Sequence, residues 1–323
     1  METFLDLKMP LDQRLKLYSR SFGSGEDLVT IVAGIHGDEL DGLYICYRLM
    51  QQLTALTPNR FGGIVKLIPA ANPMGLDVST RAWPASKIDI NRSFPGRPDG
   101  RPTDRIAHAI FTEAKKSRHC IDIHSSNIFL QEIPQVRLGE EYSAASAPMA
   151  GALGVEVVWV HPSPTVIEAT LAWNLSSIGI PTYVIETGIG LRIMQQDCRR
   201  IIRGIMSFLH TTGVLTGPPA EPLTAPRLAD SGNVEYVNAE MSGIFIPDIA
   251  IGSDVLTGTV IGQILDPVTG RYRTITAPVT GYLFTLRAHP IVYVGSLVAR
   301  IIRCEPGGGV RRLLIEDAAE TAA

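Results

Sequence analysis

LVTIVAGIHGDELDGLYICYRLM, residues 28–50, decides the fold class. Its first eight residues are apolar apart from Thr30, and Gly34 punctuates the run. A continuous apolar run this short, closed by glycine, reads as a strand buried on both faces. Leu40, Leu43, Tyr44, Tyr47 and Met50 then recur at helical spacing. Asp38, Glu39 and Asp41 fall in the predicted first turn, where the helix dipole favours acids. A buried strand feeding an amphipathic helix is the repeating unit of a layered α/β protein.

Working outward, similar apolar runs predict buried strands at 64–70, 120–124, 155–160 and 182–186. Helical periodicity predicts helices at 103–116 and 196–210; the stripe Ile201, Ile202, Ile205, Phe208 and Leu209 in the second is core packing. Residues 1–213 are therefore expected to form an α/β domain, a central mixed sheet with helices on both faces. The segment GVLTGPPAEPLTAPR that follows has four prolines and no apolar period, so 214–228 reads as a semi-extended linker. Beyond it, 229–323 consists of short strands punctuated by Gly, Pro and Asp, the texture of a small all-β domain. The tail ending in DAAETAA reads as frayed.

The charge balance, 29 basic against 32 acidic residues and a net −3, provides no field for nucleic acid or an anionic membrane. Cys46, Cys120, Cys198 and Cys304 lie far apart with no CxxC spacing, which suggests free thiols in a reducing compartment. No segment approaches the roughly 18 apolar residues of a membrane span. The expected location is the cytoplasm. Lysine is scarce: the six lysines all lie at or before Lys116, and the other 23 basic residues are arginine.

Four polar clusters interrupt the apolar framework. His36-Gly37-Asp38-Glu39 follows the first buried strand, where ligands bind in open α/β sheets. An H-x-x-E spacing lets imidazole and carboxylate turn onto one ion, with Gly37 allowing an unusual backbone angle. Taken alone, these residues read more simply as a loop histidine beside helix-capping acids. Asp122-Ile123-His124-Ser125-Ser126 ends another strand, with Asp122 and His124 on one face. Together His36, Glu39 and His124 make the two-nitrogen, one-carboxylate set of a catalytic zinc with an open position. Glu186, in YVIETGIG, reads equally as a general base or as a strand-end acid capping the next turn. The loop 72–96 carries Arg81, Asp89, Asn91 and Arg92 amid too many turn formers for helix or strand; its arginines suit a carboxylate and a polarised carbonyl, or simply solvent.

In this order, the four clusters with Asn72-Pro73, Thr80-Arg81, Asp89-Ile90-Asn91-Arg92, Phe94-Pro95-Gly96 and Glu186-Thr187-Gly188 resemble the succinylglutamate desuccinylase/aspartoacylase family, a branch of the zinc carboxypeptidase superfamily. The resemblance spans nearly the whole chain and looks closest to deacylases of N-acylated amino acids such as N-acetyl-diaminobutyrate. It implies one Zn2+ per chain on His36, Glu39 and His124. It further implies Glu186 as the base that activates zinc-bound water, Arg81 polarising the amide carbonyl, and Asn91 and Arg92 holding a substrate carboxylate. The chain departs from the family in having Ser125-Ser126-Asn127 after the second histidine. Ser176 stands where better-known members carry a substrate-binding arginine, with Arg192 a nearby replacement.

The C-terminal region resembles biotinyl/lipoyl carrier domains, but no lysine follows Lys116, so no group can be attached. A lid or a homo-oligomer contact is left for it, with Tyr282 or Tyr293 as the residue reaching the site's mouth. The expected function is thus a zinc-dependent amidohydrolase acting on a small N-acylated amino acid. A metallocarboxypeptidase with the same zinc and base needs a more open groove, and a binding module that has lost catalysis would not need all three ligands and Glu186.

Overall fold

A computed structural model of the chain describes residues 1–161, 168–217, 224–305 and 309–313, with the backbone alone for 142–145. Two antiparallel strands, β1 (Glu2–Lys8) and β2 (Arg14–Gly23), come first. Then follow β3 (Leu28–Ala33), α1 (Asp41–Thr54), β4 (Ile64–Ile68), α2 (Pro73–Asp77), α3 (Pro102–Ala114) and β5 (His119–Ser125). The α/β part is completed by β6 (Leu130–Gly139), α4 (Glu140–Ala150), β7 (Val157–His161), α5 (Leu171–Ser176), β8 (Thr182–Gly188) and α6 (Gln195–Thr211).

The large sheet runs β1-β2-β4-β3-β5-β8-β6. β3 pairs in parallel with β4 and β5, and β5 with β8, whereas β2 and β6 join antiparallel. This is the expected mixed sheet. Every residue of β3 is buried, as a run apolar apart from Thr30 requires, and Thr30 accepts from the Ser117 hydroxyl. Ile45, Leu49 and Leu53 of α1 and Ile201, Ile205 and Phe208 of α6 cover one face, in contact with Ile31, Ile121 and Ile185. Ile106 and Ile110 of α3 and Leu171 and Leu175 of α5 cover the other. Parallel order brings the carboxyl ends of β3, β5 and β8 side by side, and Cα pairing sets His124 directly opposite Glu186.

Two local expectations need correction. The first helix begins at Asp41, so Asp38 and Glu39 lie in the loop before it; Glu39 is 3% exposed with its carboxylate turned inward, away from any capping role. The loop 72–96 does contain helix, the short α2 and a single 3-10 turn at Ile90–Arg92. Asn72 caps α2 by accepting from the amide of Gly75 at 2.9 Å, a local side-chain bond that competes successfully with the turn formers around it.

The C-terminal strands are β9 (Arg227–Ala229), β10 (Val234–Asn238), β11 (Gly243–Pro247), β12 (Asp254–Val255), β13 (Val260–Leu265), β14 (Tyr272–Thr276), β15 (Gly281–Arg287), β16 (Ile291–Val292) and β17 (Leu297–Arg303). β14-β13-β11-β16 form a separate antiparallel sheet. β15, β17 and β10 instead extend the large sheet, because β15 pairs with the first residues of β6 at Thr285↔Glu132, Leu286↔Gln131 and Arg287↔Leu130. Residues 218–223 of the proline-rich segment, Gly307 and Gly308, and the tail 314–323 lie outside the described residues. Cys46, Cys120 and Cys198 are buried and free, and Cys304 is half-buried and free. No described helix is long and apolar enough to cross a membrane.

Candidate metal centre and active site

His36 and Glu39 come from the loop between β3 and α1, and His124 from the end of β5. All three are buried, and their candidate ligand atoms lie within 4.8 Å of one another. Glu39 sits between the rings, with Oε1 2.7 Å from His36 Nδ1 and Oε2 2.8 Å from His124 Nδ1. The two Nδ1 atoms are 3.1 Å apart. Each ring's outer nitrogen faces an aspartate: His36 Nε2 is 3.0 Å from Asp89 Oδ1, and His124 Nε2 is 3.1 Å from Asp122 Oδ2, off the line of a hydrogen bond.

This arrangement fits a metal ion. With the Nε2–H groups turned toward the aspartates, both Nδ1 lone pairs point at one place, beside the Glu39 carboxylate. Two nitrogens bound tetrahedrally to one zinc lie roughly 3.3 Å apart, close to the spacing observed. In the protein alone, burial opposes protonation of both histidines. The carboxylates outweigh it: Glu39 and Asp89 raise His36, and Asp122 and Glu39 raise His124 well above its ordinary value. Burial likewise opposes ionisation of Glu39, yet the two imidazoles hold it below the usual carboxylate range.

The loop 72–96 closes over this cluster. Arg81 donates from Nη1 to Glu39 Oε1 at 3.1 Å and from Nε to Asp89 Oδ2 at 3.3 Å. Asn91 Oδ1 accepts from the amide of Leu171 at 3.0 Å, anchoring the start of α5, and its Nδ2 is 3.5 Å from His124 Nε2. Arg92 donates from Nη1 to the Asn91 carbonyl. Behind the cluster, Ser125 donates its amide to Glu39 Oε2 and its hydroxyl to buried Asp41.

Gly37 serves this assembly through close approach, where an unusual backbone angle was expected: its φ is not in the left-handed region, but an added Cβ would stand 2.0 Å from the Gly75 carbonyl carbon. Backbone on both sides leaves no rotamer to relieve the overlap. Gly37→Ala is expected to destabilise the protein by about 1–3 kcal/mol and to disturb the cluster's capacity to hold a metal ion, since His36 and Glu39 lie within two residues of the displaced one. Thermal unfolding and a zinc titration check this; unchanged values in both would show that the contact relaxes freely.

One cavity of about 490 Å³ joins these groups. His36, Glu39, His124, Arg81, Asn91, Arg92 and Glu186 all line it, so the expected ligands, base, carbonyl-polarising arginine and carboxylate-holding pair meet there. Glu186 is not one of the three converging ligands. Its carboxyl is pushed up by burial, against the opposing pull of Arg137 and His124.

Sequence reasoning missed Glu132, Arg137, His161 and Arg300, which line the same cavity. A signal existed in β6, LQEIPQVRLG, where Glu132, Gln135 and Arg137 are polar within a buried strand. Burial and the adjacent Arg137 and Arg300 push His161 down to about 3, so it is neutral. Arg192 is not at the cavity; it is exposed and bonded to the Leu191 carbonyl. Tyr282 is buried, donating to Glu156 Oε2 at 2.7 Å beneath Arg227, and Tyr293 lines a neighbouring hollow. Arg300 is the residue that the C-terminal strands bring to the cavity.

Residues 26–212 match the family model of the succinylglutamate desuccinylase/aspartoacylase catalytic domain. Over 294 residues the chain is 28% identical to N-alpha-acetyl-L-2,4-diaminobutyric acid deacetylase of Halomonas elongata, covering 84% of this chain and 80% of that one. Its fold is similar to the crystal structure of a succinylglutamate desuccinylase from Silicibacter sp. TM1040, with a TM-score of 0.80, 20% identity and coverage of 93% and 94% of the two chains. The product-bound ectoine utilization protein EutE from Ruegeria pomeroyi gives a TM-score of 0.78 at 21% identity, covering 92% and 93%.

Proposed function

The chain belongs to the succinylglutamate desuccinylase/aspartoacylase family, and from that premise we propose that it is a zinc-dependent amidohydrolase removing a short neutral acyl group, acetyl above all, from an amino acid with one free carboxylate. The observation that carries the reading is the convergence of His36, Glu39 and His124 in one cavity with Arg81 and Glu186. The similarity to a diaminobutyrate deacetylase supports the same class of reaction.

His36, Glu39 and His124 would hold the ion. When bound, zinc acidifies a water molecule and polarises the carbonyl of the scissile amide. Glu186 takes the proton from the attacking water and delivers it to the leaving amine. Arg81, already oriented by Glu39 and Asp89, stabilises charge developing on the carbonyl oxygen. Arg92, braced by Asn91, receives the substrate carboxylate.

The choice of acyl group follows from counting charge. Of the arginines that line the cavity, Arg81 is paired with Glu39 and Asp89, Arg137 with Glu132 and Glu186, and Arg300 with Glu132. Arg92 alone has no carboxylate partner among the described residues, which matches one substrate carboxylate. A succinyl or aspartyl chain would bring a second anion to a place whose cations are already compensated. A carboxypeptidase would require a more open groove to admit the peptide chain, whereas Glu132 and Arg300 line this cavity on the side of the C-terminal strands.

The test is a matched panel of N-acetyl and N-succinyl derivatives of the same amino acids, including N-acetyl-L-2,4-diaminobutyrate, with short peptides for comparison. The expected kcat/KM for acetyl exceeds that for succinyl by at least about tenfold. Preference for succinyl, or faster release of C-terminal residues from peptides, would overturn the assignment.

A further inference from the structure

Four charged side chains form an unbroken line from the candidate base to the C-terminal strands. Arg137 Nη1 donates to Glu186 Oε1 at 3.1 Å, and Arg137 Nη2 to Glu132 Oε2 at 2.7 Å. Arg300 Nη1 donates to Glu132 Oε1 at 2.6 Å. Glu132 is 1% exposed, so both of its oxygens are committed away from water. Both guanidinium groups also stand over Trp159, 5.4 and 5.1 Å from its ring centroid.

The sheet register builds this line. Glu132 is opposite Thr285 across the β6–β15 junction, and Thr285 is opposite Arg300 across β15–β17. On its other edge β6 pairs with β8, where Gln135 is opposite Glu186 and Arg137 opposite Val184. A register shift between Glu132 and Gln135 separates the two halves of the strand.

Such a cluster is a poor device for stability. Desolvating several charges costs about as much as their attraction returns, and apolar residues of similar size would serve as well. What the arrangement supplies is a fixed position. Arg137 has a long side chain with many rotamers, and Glu132 restricts it to the one that meets Glu186; Arg300 and Thr285 in turn restrict Glu132.

Building on the reading of Glu186 as the base, we propose that Arg137 is a positioning residue for Glu186, and that Arg300, acting through Glu132, is how the C-terminal strands complete the active site. Arg300 then affects turnover without holding the substrate, and its effect passes through Arg137.

A double-mutant cycle on the zinc-loaded full chain tests this, with N-acetyl-L-2,4-diaminobutyrate and the other acetyl amino acids of the panel as substrates. Arg300→Met is expected to lower kcat roughly tenfold and Arg137→Met about 100-fold, as misplacement of a reacting group does, each with KM changed less than twofold and one zinc retained. The double variant should be no slower than Arg137→Met, because residues acting in series are not additive. Arg300→Lys, which keeps the charge, should recover part of the loss, and it carries the cycle if the methionine variant does not fold. Losses that multiply in the double variant, or a rise in KM at constant kcat, would overturn the proposal. Crystal structures decide independently of turnover: in Arg300→Met the contact between Arg137 Nη1 and Glu186 Oε1 should open while His36, Glu39 and His124 stay in place. An intact contact there overturns the proposal even if no acyl amino acid proves to be a substrate; a wild type inactive on the whole panel would instead count against the reading of function.

Discussion

Glu186→Gln should lower kcat by about 10³-fold or more while leaving one zinc per chain, the range that loss of a general base gives. The substitution keeps the size of the side chain and one carbonyl oxygen able to accept from Arg137 Nη1, so the cavity wall is preserved. It removes the capacity to take up a proton. Because the converging cluster consists of His36, Glu39 and His124, zinc stoichiometry should not change. Rapid turnover by the Gln variant would remove Glu186 from the mechanism; loss of zinc would make it a ligand.

Removing the metal is expected to have an effect of similar size. Chelation should reduce activity below about 1% of the starting value, and one equivalent of zinc should restore it. A readout free of turnover is thermal unfolding, since an ion that binds only the folded chain stabilises it by mass action. Zinc should therefore raise the Tm of the wild-type protein and have no such effect on His124→Ala. That variant removes one of two nitrogens and leaves Glu39 Oε2 with only the Ser125 amide. Equal zinc-induced stabilisation in both proteins would place the metal elsewhere.

The residues differ in how readily the sequence disclosed them. The buried strands were legible because a parallel sheet covered on both faces demands mostly apolar runs, and residues 28–33, 64–68 and 182–185 supply them, broken only by Thr30, Lys66 and Thr182. His36, Glu39, His124 and Glu186 each have an ordinary structural reading alone, and became legible as a set through their shared place at strand ends and the family resemblance of their order. The edge strand β1 and its neighbour β2 escaped notice although β2 alternates cleanly, with Leu15, Leu17 and Ser19 inward. Helix periodicity overestimated the start of α1, because Glu39 is drawn into the histidine pair instead of the helix terminus.

By itself, the sequence determined a layered α/β chain and the family to which it belongs, and it singled out the four strand-end groups proposed to carry the chemistry, since each motif is read from residues adjacent along the chain. Only the tertiary structure decided what Asp89, Arg137, Glu132 and Arg300 touch. Glu132 and Arg300 are 168 positions apart, and their contact exists because β15 joins the large sheet at β6, a choice of strand order with no local signature. Charge pairing across a sheet is a property of register, and register is settled only when the whole sheet is assembled.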